Sequence, residues 1–183
     1  MGHHVDIFEK FPMAKPIGSG ILLQPTGMKV LDSLGLLEPA ISYGHRVDRL
    51  YGHTDRHLLK PWEFNVDRHH MVLDLQYKYL GDHFYGLGIH RGALFSILKN
   101  AVEKEGISIK CDVNVSRIEE RSTMSKRTAR LYRQVQEGDR ISEEEIDQDY
   151  DLVVVATGTH SKLGHVDKRR AKGYEFGSLW ACS

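Results

Sequence analysis

Y-G-L-G-I-H-R-G-A-L-F-S-I-L-K-N-A-V-E-K-E-G-I-S-I-K-C, residues 85–111, is the stretch whose reading decides the fold. Tyr85–His90 is short, apolar-rich and flanked by turn residues, which predicts a strand. Leu94, Ile97, Leu98, Ala101 and Val102 then recur at i, i+3, i+4, i+7 and i+8. That stripe predicts an amphipathic helix over Arg91–Glu105, with Gly106 to end it. Ile107–Cys111 alternates apolar and polar, the period of a second strand.

Upstream, Val5–Lys10 alternates and predicts a strand almost at residue 1. Pro16–Gly20 reads as a flexible turn. Ile21–Leu23 follows, then a helical face of Val30, Leu31 and Leu34 that Gly35 stops. Between residues 46 and 90 the pattern is of short strands at Arg46–Tyr51, His57–Leu59, His70–Leu75 and Tyr85–His90. Downstream, Val113–Glu119 predicts a strand, and Ala129–Val135 another that pairs across the turn at Glu137–Asp139. Ser142–Gln148 reads as an acidic surface loop. Leu152–Val155 is a short, β-branched apolar run and is expected to be a strand buried on both faces.

Composition narrows the function. Of 183 residues, 40% are hydrophobic and 27% charged, the balance of a globular protein with a sizeable core. Lysine plus arginine equals aspartate plus glutamate, so the net charge is zero, which argues against a general binder of nucleic acid. The two cysteines are far apart and in no metal spacing, so the default compartment is a reducing cytoplasm. The opening M-G-H-H-V-D-I-F-E-K has no apolar signal core, and no run approaches the ~18 residues of a membrane span. Eleven histidines include the pairs His3-His4 and His69-His70, but neighbours on a strand point to opposite faces and no H-E-x-x-H occurs. Neither a metal site nor a G-x-S-x-G hydrolase is expected.

Three places can carry ligand chemistry. Glu9 ends the first strand, where a carboxylate can accept both hydroxyls of a ribose diol; it can equally be a solvated acid. Arg91 opens a helix, where positive charge is mildly unfavourable unless an anion or an acidic neighbour answers it. Gly158 follows the apolar run, and a glycine there lets a ligand approach bare backbone or simply makes a tight turn. Trp62, Phe64 and Tyr77 are aromatic residues of the 46–90 segment and read as core before substrate contacts.

The order V-D-I-F-E-K, G-I-L-L-Q-P-T-G-M-K-V-L-D-S-L-G-L-L, G-I-H-R-G-A-L-F-S-I-L and D-L-V-V-V-A-T-G-T-H-S-K-L resembles the FAD-binding region of the p-hydroxybenzoate hydroxylase-like flavoprotein monooxygenases. The resemblance implies an α/β, Rossmann-like FAD-binding domain, here partial, with a β-rich insertion. It divides the chain into residues 1–45 (first FAD-binding part), 46–90 (β-rich insertion on the substrate side), 91–164 (second FAD-binding part) and 165–183 (start of a substrate domain). It implies that Glu9, with Lys10 beside it, meets the cofactor's ribose. Arg91 falls near the pyrophosphate and Gly20 in the segment passing the flavin. Thr157, Gly158 and Ser161 fall in the family's D-G motif. The chain departs from that motif at two points, with Thr157 for its Asp and Gly164 for its closing Arg.

The family's first strand and G-x-G-x-x-G loop are expected to fall before Val5, and its G-D-A-x-H segment after Ser183. An interior piece of this kind is expected to hold FAD weakly or not at all, because the phosphate loop supplies the helix end that grips the diphosphate. The implied reaction is NAD(P)H-dependent hydroxylation of a small organic molecule, aromatic compounds included, by the flavin. A related dehydrogenase, reductase or halogenase is the first alternative. The second is a non-catalytic remnant that self-associates through an exposed sheet edge.

Overall fold

The computed structural model describes residues 2–16, 18–53, 71–81, 83–158, 161 and 163. The chain forms two compact units, Met1–Ala14 with Gly106–Ser183, and Lys15–Glu105. His57–Leu59, Trp62, Phe64, the His69-His70 pair, Gly164 and the Tyr174–Ser183 tail lie outside the described residues.

The Lys15–Glu105 unit is built on a three-stranded antiparallel sheet with β6 (Gly86–His90) between β2 (Gly20–Leu23) and β3 (Gly44–Val47). The register pairs Gly20 with His90 and Gly44 with Ile89. α1 (Pro25–Ser33) starts with proline at its first turn, where a missing N–H costs nothing. It ends in a Schellman arrangement. Gly35 adopts φ +69°, its N–H donates to the Asp32 carbonyl at 2.9 Å, and the Leu36 N–H donates to Leu31 at 2.8 Å. α2 (Leu37–Ser42) follows directly. Met28, Leu31, Ala40, Leu87 and Ile89 form the core, with Leu94 and Ile97 of α3 (Arg91–Lys104) packed against it. Tyr77, read as core, is 1% exposed, and its hydroxyl donates to Gln24 Oε1 at 2.8 Å.

The same unit carries a ribbon of β4 (Arg49–His53) against β5 (Met71–Gln76). The single strand expected over Arg46–Tyr51 is thus two, divided at Asp48, which folds back to take the Arg46 guanidinium at 2.7 Å.

In the other unit β1 is only Ile7–Phe8, paired in parallel with β7 (Ile109–Lys110). Beside this pair stands a three-stranded antiparallel sheet ordered β10–β9–β8, with β8 Val115–Ser122, β9 Arg127–Glu137 and β10 Arg140–Tyr150. The hairpin expected across Glu137–Asp139 is present, with Gly138 at φ +60°.

Two expectations are corrected here. Ser142–Gln148 is not a loop but part of β10. Its acids face arginines across the sheet: Glu143 meets Arg117 at 3.0 Å, Glu144 meets Arg133 at 2.5 Å, Asp149 meets Arg130 at 2.7 Å, and Glu145 also meets Arg130. Cross-strand pairs of opposite charge stabilise a ladder that an isolated acidic run could not form. Leu152–Val155 is not a buried strand. It carries no strand pairing, and Leu152 and Val154 are 79% and 77% exposed. Apolar side chains drive burial only where another surface covers them, and among the described residues none pairs with this run.

Asp6 joins the two sheets of this unit. Its side chain is 3% exposed and takes Lys110 Nζ at 2.6 Å. Its other oxygen accepts from the Tyr150 hydroxyl at 2.8 Å. The Lys110 hydrogen bond holds the Asp6 carboxyl below the usual aspartate range, helped by Tyr150 and opposed by burial. Burial first, then the bond to Asp6, pushes the Tyr150 phenol up to about 12. A depressed carboxyl contributes stability that is present above the unfolded-state pKa and lost as pH falls through the lower folded value. Asp6→Asn is therefore expected to lower stability by about 1–3 kcal/mol at neutral pH and to flatten its acid limb. Urea midpoints from pH 7 to pH 3 measure this; parallel wild-type and variant curves would refute it.

Candidate functional site

Glu9 stands just past the carboxyl end of β1, fixed on both sides by backbone. Its N–H donates to the Lys110 carbonyl at 3.0 Å, and its carbonyl accepts from Val113 at 3.0 Å. One carboxylate oxygen, Oε1, accepts from the Phe11 N–H at 2.9 Å. The carboxylate is thus aimed by its own turn, and Oε2 takes no hydrogen bond from the described residues. Lys10 is exposed, and its ammonium lies 4.9 Å from the centre of the Phe11 ring.

The Thr157–Ser161 corner belongs to the same unit. Gly158 has φ +80°, a conformation that L side chains rarely adopt, and a Cβ built there meets none of the described residues within 4 Å. Its glycine is demanded by the backbone rather than by a close neighbour among the described residues. Thr157 Oγ1 bonds Ser161 Oγ at 2.5 Å, and Ser161 Oγ in turn meets the carbonyl and N–H of Leu163. The Ser161 hydroxyl therefore works inside its own loop.

Gly20 and Arg91 belong to the Lys15–Glu105 unit. α3 begins at Arg91, and the first amides of this helix are already engaged. The Arg91 N–H donates to the Ser19 carbonyl at 2.8 Å, and the Gly92 N–H donates to His90 Nδ1 at 3.0 Å. His90 is thus the N-cap of α3, a role the sequence reading missed. The guanidinium, rather than two bare amides, is what this helix end offers an anion. It lies on Gly18, whose φ is +98°; a Cβ there would stand 2.8 Å from Arg91 Nη1 and 3.2 Å from Cδ. Among the described residues no acid pairs with Arg91.

Gly18 is the second residue missed: the sequence reading placed it in a flexible turn and took only Gly20 as a site residue. Gly18→Val is expected to displace the Arg91 side chain and strain the turn. If Arg91 holds an anion, the variant should lose about as much nucleotide affinity as Arg91→Ala, with the core of its unit intact by hydrogen exchange. Full affinity in Gly18→Val would remove Gly18 from the site.

Taken unit by unit, the chemistry on offer is an aimed carboxylate that can accept from hydroxyl donors in the one, and in the Lys15–Glu105 unit a guanidinium that no acid among the described residues answers.

No family model matches the chain, and no curated protein matches it. Solved structures do. A tetracycline destructase, Tet(51), superposes with a TM-score of 0.52 at 17% identity, over 92% of this chain and 35% of that one. The p-nitrophenol 4-monooxygenase PnpA from Pseudomonas putida gives 0.51 at 11% identity, over 79% and 33%. PqsL, a probable FAD-dependent monooxygenase from Pseudomonas aeruginosa, gives 0.51 at 16% identity, over 76% and 33%. The chain spans about a third of the length of each. At these identities the likeness is one of fold: the chain has the mixed α/β fold seen in flavin monooxygenases. Among the described residues no helix is long and apolar enough to cross a membrane.

Proposed function

We propose that the chain is part of an FAD-dependent oxidoreductase, an NAD(P)H-dependent monooxygenase that hydroxylates a small organic, aromatic substrate. The observation that carries this reading is Arg91: a cation at a helix N-terminus, laid on a glycine and answered by no acid among the described residues. Such a charge is unfavourable there without an anion. A diphosphate supplies one and accepts the planar guanidinium in two places. The fold likeness to flavin monooxygenases supports the choice of cofactor.

In this reading Glu9 accepts from the ribose hydroxyls, with Lys10 beside it. Arg91 donates to the diphosphate, and the backbone around Gly20 and Thr157–Gly158 lies along the cofactor. Ser161 keeps the Gly158 corner closed. FAD, when bound, supplies the redox chemistry; this chain's residues bind and orient it. Binding by these residues alone is weak. FAD fluorescence titrated with protein tests the reading. Arg91→Ala should weaken binding about 10-fold, the loss of one charge-assisted contact; equal affinity would end Arg91's part in it. NADPH and oxygen uptake with a panel of phenols separates a hydroxylase from a dehydrogenase, reductase or halogenase.

One observation favours a second reading. The run Leu152–Val155 offers exposed apolar side chains and backbone that pairs with no strand among the described residues, the features of a segment that pairs with another chain. A non-catalytic interaction module would show a defined oligomer by light scattering and no affinity for FAD or ADP.

A further inference from the structure

We infer that the Asp6–Tyr150 hydrogen bond, seated on Lys110, is the positioning device for residues 151–158, which lead to the Thr157–Gly158 corner. Its bearing on a nucleotide rests on the function proposed above. Tyr150 is the last residue of β10, paired with Ala129 of β9. Beyond it the backbone leaves the ladder and runs to Gly158 without strand or helix. What fixes Tyr150 therefore fixes where this segment starts.

Three contacts hold that start. The Tyr150 hydroxyl donates to Asp6 Oδ2 at 2.8 Å, and its ring stands edge-on to Phe8 with centroids 6.2 Å apart. Lys126 Nζ meets Asp151 Oδ1 at 2.7 Å, but both of those side chains are exposed. An exposed ion pair is screened and contributes little. The Asp6 contact is different. Its carboxylate is buried, with Lys110 at 2.6 Å and His4 at 3.6 Å as the other charged or titratable groups facing it. A buried, charge-assisted bond is directional and is not exchanged for water. Asp6 also lies three residues before Glu9, and Tyr150 eight before Gly158. The same bond thus ties the strand that aims the carboxylate to the segment that ends in the glycine corner.

The test is amide heteronuclear NOE on the whole 183-residue chain, in Tyr150→Phe, Asp6→Asn and Lys126→Ala, with ADP as the ligand probe. Tyr150→Phe keeps the ring and the β10 pairing; Asp6→Asn keeps the shape of the acceptor. Both should lower the NOE across 152–158 by about half, with β8 and β9 shifts unchanged and the ADP Kd raised roughly 3–10-fold. Lys126→Ala should leave both readouts at the wild-type value. Unchanged order at 152–158 in both Asp6→Asn and Tyr150→Phe overturns the inference. A lowered NOE with an unchanged ADP Kd overturns its link to the nucleotide. If wild type binds no ADP, the proposed function fails on that arm, and the NOE comparison still decides the positioning role.

Discussion

Replacing Glu9 by alanine is expected to weaken ADP binding by a factor of about 10 to 150. That is the loss of a hydrogen-bonded charge, about 1.5–3 kcal/mol. The size rests on preorganisation. Glu9 is held by backbone bonds to Lys110 and Val113, and its carboxylate is already turned by the Phe11 N–H. A ribose therefore meets an acceptor whose ordering is complete before binding. Glu9→Gln separates charge from shape. Its amide oxygen can keep the Phe11 bond, so its loss should fall between wild type and Glu9→Ala. Equal ADP affinity in all three proteins would mean that Glu9 is only the end of a strand.

The largest effect on stability is expected at Leu87. It is 1% exposed and lies in β6, the middle strand of its sheet, in the cluster with Met28, Leu31, Ala40 and Ile89. Leu87→Ala should cost about 2–5 kcal/mol, from lost transfer energy and from the cavity left behind. Gly44 gives an internal control. A Cβ built on Gly44 would stand 2.7 Å from Leu87 Cδ1 and 3.1 Å from the Gly88 carbonyl. Gly44→Ala alone should therefore overpack the core, by about 1–3 kcal/mol. In the Leu87→Ala background the new methyl enters the vacated space, so the double variant should be more stable than the sum of the single losses. Hydrogen exchange at the β6 amides reads these free energies for this unit by itself. Additive losses would mean that the two side chains do not share the space.

α3 was legible because its apolar stripe, its start after His90 and its stop at Gly106 are all local signals. Gly35 was legible for the same reason. β10 was not: Glu143, Glu144 and Glu145 read as a solvated run until the register sets arginines of β8 and β9 against them. Leu152–Val155 failed in the opposite direction, because an apolar run states a need for cover and not whether cover is present. Of the candidate residues, Glu9 and Arg91 were legible as residue types at element ends; Gly158 was legible as a turn glycine, but no strand leads into it. Gly18 and His90 were not. The notch at Gly18 depends on the path of the Arg91 side chain, and the His90 cap depends on a rotamer. The one local hint was Gly18-Ser19-Gly20 itself, which gains meaning only once Gly20 is paired with His90.

The proposed function assigns Glu9 and the Gly158 corner in one unit, and Arg91 in the Lys15–Glu105 unit, to the binding of FAD. Amide shift mapping of the 15N-labelled chain, titrated with FAD into the millimolar range, tests it most directly because it registers weak binding residue by residue. The account predicts saturable shifts at Glu9–Phe11, at Gly18–Gly20 with Arg91 and Gly92, and at Thr157–Gly158. Shifts that are absent throughout, or confined to other surfaces such as the β4–β5 ribbon, would contradict it.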